Sequence, residues 1–314
     1  MLRKNLSMLL ALMIAVGSIV LATPVSAQQS ACQLAKTTIM TGITRTSIMS
    51  DGVERPFILF VPTGYTQTSD PVPLVFSLHG LGSNATEEMN YTRWNPVAEA
   101  NTFIMVYPDG TNSPRQWNAY DGRTRLRKTS DADDVQFFRD LISYMQTNYC
   151  IDPARLYVNG ISNGGAMTVR LACALNDQLA AVATVAAAVV RTQVCTPPAP
   201  IPLMEFHGTK DTFVPYDQPR GLFPPVKEWT HDWAVANGCD ATPLTLPTQG
   251  EVSGEEYQHC TNNANVILYT IEGGGHTWPG TKAHLLVEQT LGYTTQDIDA
   301  TATMWQFFVA HPRQ

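Results

Sequence analysis

The sequence is marked first by features that it does not have. It contains no internal repeat, no low-complexity linker and no segment of the size of an appended binding module. None of its cysteines form a C-x-x-C pair, which argues against a zinc site. We therefore expect neither a metal nor an organic cofactor. Basic residues number 20 against 27 acidic ones, so nucleic acid and anionic membranes are disfavoured as partners.

The first 27 residues have the pattern of a secretory signal peptide. Arg3 and Lys4 give a positive start, residues 8–22 carry no charge, and Val25-Ser26-Ala27 offers small residues for cleavage. The apolar run is shorter than the roughly 20 residues that span a bilayer, so a retained anchor is the weaker alternative. We predict an exported protein, extracellular or periplasmic. Its mature chain, residues 28–314, would be a single domain with 18 basic and 27 acidic residues, a net charge of −9.

All six cysteines lie in the mature chain, and an even number in an exported protein predicts disulfide bonds. Several connectivities are possible. Proximity along the chain favours three pairs, namely Cys173–Cys195, Cys239–Cys260 and, as the remainder, Cys32–Cys150. The last pair would pin the N-terminal segment to the body of the protein.

Short apolar segments alternate with longer segments of helical spacing. Strands are predicted at residues 55–62, 74–78, 103–107, 156–158, 181–190, 203–207 and 266–271. Helices are predicted at residues 86–100 (interrupted near Pro96), 133–149, 165–175, 226–237 and 294–310, and a cysteine-clipped hairpin at 239–260. This alternation predicts an α/β fold with a mostly parallel central sheet, helices on both faces and no large cap domain.

One strand-to-helix turn carries the pentapeptide Gly160-Ile161-Ser162-Asn163-Gly164. A G-x-S-x-G in this position is the signature of a nucleophile elbow, a turn so tight that only glycines fit on either side of the serine. Such an elbow exposes the serine hydroxyl at its tip. The alternative is an ordinary strand-to-helix turn without a catalytic role. Whether an acid, a base and an oxyanion site occur at suitable positions decides between these two interpretations.

Partners are found at two other strand ends, where reactive groups gather in open α/β sheets. Asp211 closes the turn after one strand, and His276 follows three glycines after another. The order Ser162, Asp211, His276 is that of α/β-hydrolases, with a nucleophile, an orienting acid and a base. Asp217 is the alternative acid. His207 is the alternative base, although we expect it to be buried and hydrogen-bonded.

Backbone N–H groups would complete this site by binding the developing oxyanion. The geometry of an elbow predicts the N–H of Asn163 as one donor. The loop after His79-Gly80 should supply the other, at Leu81, and we expect His79 to brace this loop.

Six motifs spread over most of the mature chain strengthen this interpretation: Leu78-His79-Gly80, Asp133-Asp134-Val135 and residues 152–158, 160–167, 206–211 and 273–280. Together they resemble the secreted esterases of the polyhydroxybutyrate depolymerase and feruloyl esterase group. The resemblance implies an α/β-hydrolase fold and hydrolysis of carboxylic esters through an acyl-enzyme. Carried over position by position, it gives Ser162, Asp211 and His276 as the triad. It implies ester hydrolysis more firmly than any one substrate.

The substrate stays open between polyhydroxyalkanoate and the feruloyl or acetyl esters of cell-wall polysaccharide. Trp278 could form a wall for an aromatic or polymeric acyl group, or be a core residue that locks the loop of His276. Trp117, on a long polar stretch at residues 111–129, could face the cleft or lie in a cluster beneath it. A serine peptidase would normally bring a propeller or cap domain. The intact Ser-Asp-His set argues against a non-catalytic binding protein.

Overall fold

The structure is a computed structural model that describes residues 32, 39–120, 132–193, 195–218, 221–282 and 285–314. The predicted signal peptide lies outside these ranges, as do residues 121–129 of the predicted polar stretch. None of the helices in the described ranges has the length and apolarity that crossing a bilayer requires.

A ten-stranded sheet forms the centre of the fold. Its strands are β1 (Gly42–Ser50), β2 (Val53–Val61), β3 (Val72–Leu78), β4 (Ile104–Pro108), β5 (Ile151–Ile161), β6 (Ala181–Val185), β7 (Leu203–Gly208), β8 (Leu244–Gln249), β9 (Val252–Tyr257) and β10 (Val266–Ile271). Their order across the sheet is β1-β2-β4-β3-β5-β6-β7-β10-β9-β8. The six strands from β4 to β10 pair in parallel, and antiparallel strands extend both edges. The prediction of a mostly parallel sheet is confirmed.

Helices cover both faces of this sheet, as predicted. They are α1 (Ala85–Thr92), α2 (Trp94–Asn101), α3 (Asp134–Asn148), α4 (Asn163–Ala174), α5 (Val226–Ala236), α6 (Leu285–Leu291) and α7 (Ala300–Ala310). One buried apolar cluster contains Phe57 with side chains of α3, α4 and α5. The other contains Ile58 with side chains of α1, α2 and α7. Phe57 and Ile58 fall in opposite clusters because successive side chains of a strand point to opposite faces.

The sequence prediction missed the edge strand β1, whose residues are mostly polar and only partly buried. β1 and β2 are joined by a two-residue turn at Asp51-Gly52, where φ is 49° and 75°. An Asp-Gly pair between extended segments is a strong hairpin signal, because both positions of such a turn need positive φ. The signal for β1 was therefore in the turn and not in the strand itself.

Two predicted helices have different bounds in the structure. The helix predicted at residues 86–100 splits at Arg93, which has a left-handed φ of 56°. Pro96 is not the cause of this split. It lies in the first turn of α2, where a helix does not need the N–H group that proline lacks. The closing helix begins at Ala300 because Asp299 caps it, accepting a hydrogen bond from the N–H of Ala302 at 2.9 Å. Helix α6 was not predicted.

All six cysteines are paired, and the three pairs are the predicted ones. Cys239–Cys260 clips the base of the β8–β9 hairpin, as expected. Cys32–Cys150 joins residues 118 apart in the chain. A crosslink that closes so long a loop restricts the unfolded chain strongly and so favours the folded state.

A buried ion pair joins β2 to α3. Arg55 Nη2 lies 2.6 Å from Asp134 Oδ1, and both side chains are at most 2% exposed. The other carboxylate oxygen of Asp134 accepts the N–H of Asn118 at 2.7 Å. The guanidinium carbon of Arg55 also stands 3.9 Å from the centre of the Phe137 ring. The pair thereby fixes the backbone at Asn118, the residue after Trp117.

Removing the cation of this pair should destabilise the protein strongly. Arg55→Met removes the cation that is paired with the buried carboxylate of Asp134, so we expect the free energy of unfolding to fall by about 3–5 kcal/mol. Urea denaturation measures it. The matched control is Arg45→Met, because Arg45 is exposed and makes one hydrogen bond, to Thr86. An equally small loss in both variants would show that the buried pair does not stabilise the fold.

Candidate active site

Ser162 stands at a sharp turn between β5 and α4. Its backbone angles, φ 59° and ψ −120°, are strained for a residue with a side chain. Two hydrogen bonds of 3.0 Å hold the turn in place, from Ser162 N–H to Val185 O and from Ala188 N–H to Ser162 O. Strand β6 and the segment that follows it therefore keep the serine in the strained conformation of a nucleophile elbow.

The two framing glycines are required by close packing. A Cβ on Gly160 would lie 2.7 Å from the carbonyl carbon of Gly164, and a Cβ on Gly164 would lie 2.6 Å from the carbonyl oxygen of His79. Only glycine avoids these overlaps. The close approach seats the N-terminus of α4 against the end of β3, and so brings Ser162 next to the loop that begins at His79.

His276 and Asp211 form a short hydrogen bond, 2.6 Å from Nδ1 to Oδ2. The other oxygen of Asp211 accepts the N–H groups of Phe213 and Val214, both at 2.8 Å, within the acid loop, residues 209–216. Burial alone would raise the pKa of Asp211, but the hydrogen bond and charge of His276 and the charge of His207 lower it below its usual range. Asp211 is thus held as an ionised acceptor for the imidazole of His276.

Neither alternative residue takes the position that was predicted for a member of the triad. Asp217 is exposed, whereas Asp211 is buried against His276. His207 is buried and hydrogen-bonded, as expected, and its ring contacts Glu205 and Val214 behind the acid loop. The structure therefore brings Asp211 and His276 together and keeps the alternative base away from the serine.

A cleft of about 550 Å³ opens above Ser162. His276 and Leu81 line the same cleft, so three of the residues predicted from separate motifs share one cavity. The lining residues are Gly80, Leu81, Ser83, Glu87, Glu88, Asn90, Tyr91, Ile161, Ser162, His276, Lys282 and Leu291.

The two predicted backbone donors lie at different distances from this cleft, since Leu81 lines it and Asn163 follows the lining residue Ser162 in the chain. Within the described ranges, neither N–H has a hydrogen-bond partner. Asn163 is the first residue of α4, so its N–H belongs to the unpaired, electropositive end of that helix. Free N–H groups of this kind can donate hydrogen bonds to an oxygen atom on which negative charge develops.

Trp117 lies under the oxyanion loop, residues 79–83, and not in the cleft. Its side chain is 1% exposed, and its Nε1–H donates to His79 O at 3.0 Å. Its backbone exchanges two hydrogen bonds with the side-chain amide of Asn163. The ring of His79 donates to Gly80 O and accepts from the N–H of Gly110. The predicted substrate contact of Trp117 is therefore wrong for this structure, because Trp117 and His79 together brace the loop from below.

Trp278 is likewise a core residue. It is fully buried, its Nε1–H donates to Thr301 Oγ1 at 3.0 Å, and its backbone N–H donates to the hydroxyl of Tyr91 at 2.8 Å. The predicted wall for an acyl group is therefore wrong, and the structural alternative is correct. The exposed aromatic beside His276 is Phe213, with 5.4 Å between ring centroids. Phe213 was not predicted as a site residue, because the sequence around it has no pattern that distinguishes an exposed aromatic side chain from a buried one.

Glu88 reaches the floor of the cleft from α1 and is almost completely buried. Its Oε1 lies 2.7 Å from the hydroxyl of Ser77, which in turn lies 2.8 Å from Asn159 Oδ1. The amide of Asn159 is oriented by its bond to Phe76 O, so its oxygen must face Ser77. Because one hydroxyl proton cannot serve two acceptors, Ser77 donates to Asn159 and Glu88 donates to Ser77.

Burial raises the pKa of Glu88 to about 7, so this side chain stays protonated below that pH. No pattern in the sequence indicated that Glu88 is buried, because Glu87-Glu88 in the first turn of a helix is an ordinary charge pattern for exposed residues. Within the described ranges, no three His, Cys, Asp or Glu side chains converge as metal ligands would.

Comparison with known proteins finds esterases among the relatives of this chain. A family model of phospholipases and carboxylesterases matches residues 66–221. The putative esterase NocK of Nocardia uniformis subsp. tsuyamanensis is 30% identical over 263 residues, 76% of this chain and 74% of that protein. Feruloyl esterase B of Piromyces equi is 32% identical over 236 residues, 71% of this chain but only 42% of that protein.

Two further matches concern polymeric ester substrates and the fold. The poly(3-hydroxyalkanoate) depolymerase C of Paucimonas lemoignei is 27% identical over 247 residues, 70% of this chain and 57% of that protein. The solved structure of an acetyl xylan esterase from Aspergillus awamori superimposes with a TM-score of 0.58 over 75% of this chain and 94% of that chain, at 18% identity. The second match shows the shared α/β-hydrolase fold, and the first agrees with the family resemblance found in the sequence.

The protonated Glu88 should make stability depend on pH. Between about pH 4.5 and pH 7 the unfolded chain loses this proton and the folded chain keeps it, so the free energy of unfolding falls as pH rises. The full loss is roughly 3 kcal/mol. Glu88→Gln keeps a donor for Ser77 but cannot ionise, so it should not show this fall.

Urea denaturation of both proteins from pH 4 to pH 8 measures the effect. We expect the stability of Glu88→Gln relative to the wild type to rise with pH and to level off above pH 7. A difference between the two proteins that stays constant with pH would contradict the protonation of Glu88.

Proposed function

The chain belongs to the phospholipase/carboxylesterase family of α/β-hydrolases, whose members hydrolyse carboxylic esters, and we propose that Ser162, Asp211 and His276 are its catalytic triad. One observation carries the assignment: the 2.6 Å bond from His276 to the buried Asp211, on a histidine that lines the cleft above Ser162. Ester hydrolysis follows from the family, and the residue roles are the proposal.

The first half of the reaction forms an acyl-enzyme. Ser162 Oγ attacks the ester carbonyl carbon while Nε2 of His276 takes the hydroxyl proton. Asp211 accepts the Nδ1–H bond of His276 and stabilises the imidazolium that results. The intermediate then collapses, the bond to the alcohol oxygen breaks, and His276 returns the proton to the leaving alcohol.

The second half repeats these steps with water. His276 removes a proton from the water that attacks the acyl carbon, and Ser162 leaves as the restored hydroxyl. In both halves the carbonyl oxygen becomes an anion, and the free N–H groups of Leu81 and Asn163 are the proposed donors to it. Each such donor contributes on the order of 2.7–4 kcal/mol to transition-state binding.

The acyl specificity is a proposal of its own. Two of the relatives named above are a feruloyl esterase and a poly(3-hydroxyalkanoate) depolymerase, and we propose a substrate in that range, with acetyl polysaccharide esters as the alternative. The exposed ring of Phe213 beside His276 supports an aromatic acyl group. Release of ferulate from a feruloylated sugar, set against release of hydroxybutyrate from polymer film, separates the two classes.

The cellular location is likewise proposed. The three disulfides agree with an oxidising compartment, and residues 1–27 have the signal-peptide pattern. We propose export to the periplasm or the cell exterior, with residues 28–314 forming one catalytic domain.

Replacement of the serine tests the triad directly. We expect Ser162→Ala to lower kcat for a p-nitrophenyl ester by roughly 10⁶-fold, because the nucleophile is lost, and to abolish labelling by a fluorophosphonate. Ser143→Ala, on an exposed position of α3, is the matched control and should keep full activity. Retained hydrolysis and labelling in a folded Ser162→Ala protein would exclude Ser162 as the nucleophile.

A further inference from the structure

His207 is a second buried histidine beside Asp211, and its ring faces acceptors. Its Nδ1 lies 2.7 Å from Glu205 Oε1, and its Nε2 lies 2.8 Å from Val214 O. Asp211 Oδ2 stands 3.5 Å from the same Nε2. The side chains of His207, Glu205 and Asp211 are all completely buried. Both ring nitrogens therefore need a proton to donate.

A neutral imidazole has one N–H and can satisfy one of these acceptors, whereas an imidazolium has two and satisfies both. The alternative is a protonated Glu205 that donates to a neutral His207. It fits less well, because the same carboxylate also accepts the hydroxyl of Thr184 and, at 3.2 Å, the N–H of Ala187. A carboxylate with three donors around it is best satisfied as an anion.

The other ionisable groups near this ring agree with a positive charge. Asp211 adds a second carboxylate, and Tyr216 packs its ring edge-on against His207, with centroids 5.8 Å apart. His276 lies beyond Asp211 and shares that carboxylate. Burial alone would lower the pKa of His207, but the hydrogen bond and charge of Glu205 and the charge of Asp211 raise it above its ordinary value.

Glu205 also reaches the nucleophile elbow. It accepts the N–H of Ala187, and the next residue, Ala188, donates its N–H to Ser162 O at 3.0 Å. On the other side, the bond from Glu205 to His207 continues to Val214 in the acid loop. One buried carboxylate therefore connects the segment that holds Ser162 to the loop that holds Asp211.

We propose that Glu205 and the imidazolium of His207 form a buried ion pair that positions Asp211 for its bond to His276. Both are positioning residues, because neither lines the cleft. The charge of His207 also opposes the positive charge that His276 gains when it acts as the base. The effect on catalysis rests on the proposed triad, whereas the ion pair itself does not.

The protonation of His207 can be read without any measurement of activity. In histidine-labelled wild-type protein at pH 7, nitrogen-15 NMR should show both ring nitrogens of His207 protonated. His79 is the internal control, because its Nε2 accepts the N–H of Gly110 and its Nδ1 donates to Gly80 O, which requires a neutral ring. A neutral ring at His207 in the same spectrum would overturn the proposal.

Kinetics of variants test the positioning role. His207→Gln keeps an N–H for Val214 O but loses the charge. We expect kcat for a p-nitrophenyl ester to fall roughly 10- to 100-fold with little change in KM, because Asp211 loses its fixed position. In this variant the acid limb of the pH profile of kcat/KM should move to higher pH by about one unit, because the charge that opposed a positive His276 is gone.

Two further variants separate charge from shape. Glu205→Gln should move the acid limb of the pH profile of kcat/KM to higher pH by less than His207→Gln does. The double variant should also move this limb less than His207→Gln alone, because it leaves no unpaired charge on residue 205. His311→Gln, which alters a buried histidine bonded to Phe307 O in the C-terminal segment, is the matched control and should leave the limb in place.

The outcomes are distinct from those of the triad test. An unmoved acid limb and an unchanged kcat in folded His207→Gln would overturn the positioning role, even if the ring is charged. If His207→Gln does not fold, Glu205→Gln and the wild-type NMR spectrum still decide. An active Ser162→Ala protein would refute the triad without changing the expected state of His207.

Discussion

The close approach of α4 to the end of β3 is the constraint on which the site depends. It leaves no room for side chains at Gly160 and Gly164, and it forces Ser162 into a positive φ that β6 must stabilise. The same approach sets the free N–H of Asn163 beside the oxyanion loop. One packing contact between a helix and a strand end therefore fixes the backbone of Ser162 and places the N–H of Asn163, the proposed donor to the oxyanion.

The rest of the site comes from two neighbouring strands. β7 and β10 pair in parallel, so the acid loop and the loop of His276 leave the sheet at the same edge and meet. The three buried carboxyl groups in and around the site have partners: Asp211 has His276, Glu88 has Ser77, and Glu205 has His207. Burying such groups without partners would cost several kcal/mol each, so the partners are part of the fold as well as of the site.

Sequence patterns predicted the parts of the site that local geometry dictates. The elbow has a short motif because steric overlap permits only glycine there, and Asp211 and His276 follow strands whose apolar runs are unmistakable. Contacts between distant segments left no such pattern. Trp117 and Trp278 could be placed in the cleft or in the core on the sequence alone, and only the packing of α7 and the oxyanion loop decides for the core. Glu205, an acid within the apolar strand β7, was a signal that went unused.

The central claim is that one tetrahedral intermediate is held at once by Ser162, His276 and the N–H groups of Leu81 and Asn163. A crystal structure of the protein inhibited by an alkyl fluorophosphonate tests it most directly, because the phosphonyl group mimics that intermediate. We predict phosphorus bonded to Ser162 Oγ, with the phosphonyl oxygen about 2.7–3.1 Å from both backbone nitrogens. An adduct on another residue, or a phosphonyl oxygen turned to solvent with both N–H groups unoccupied, would contradict the account.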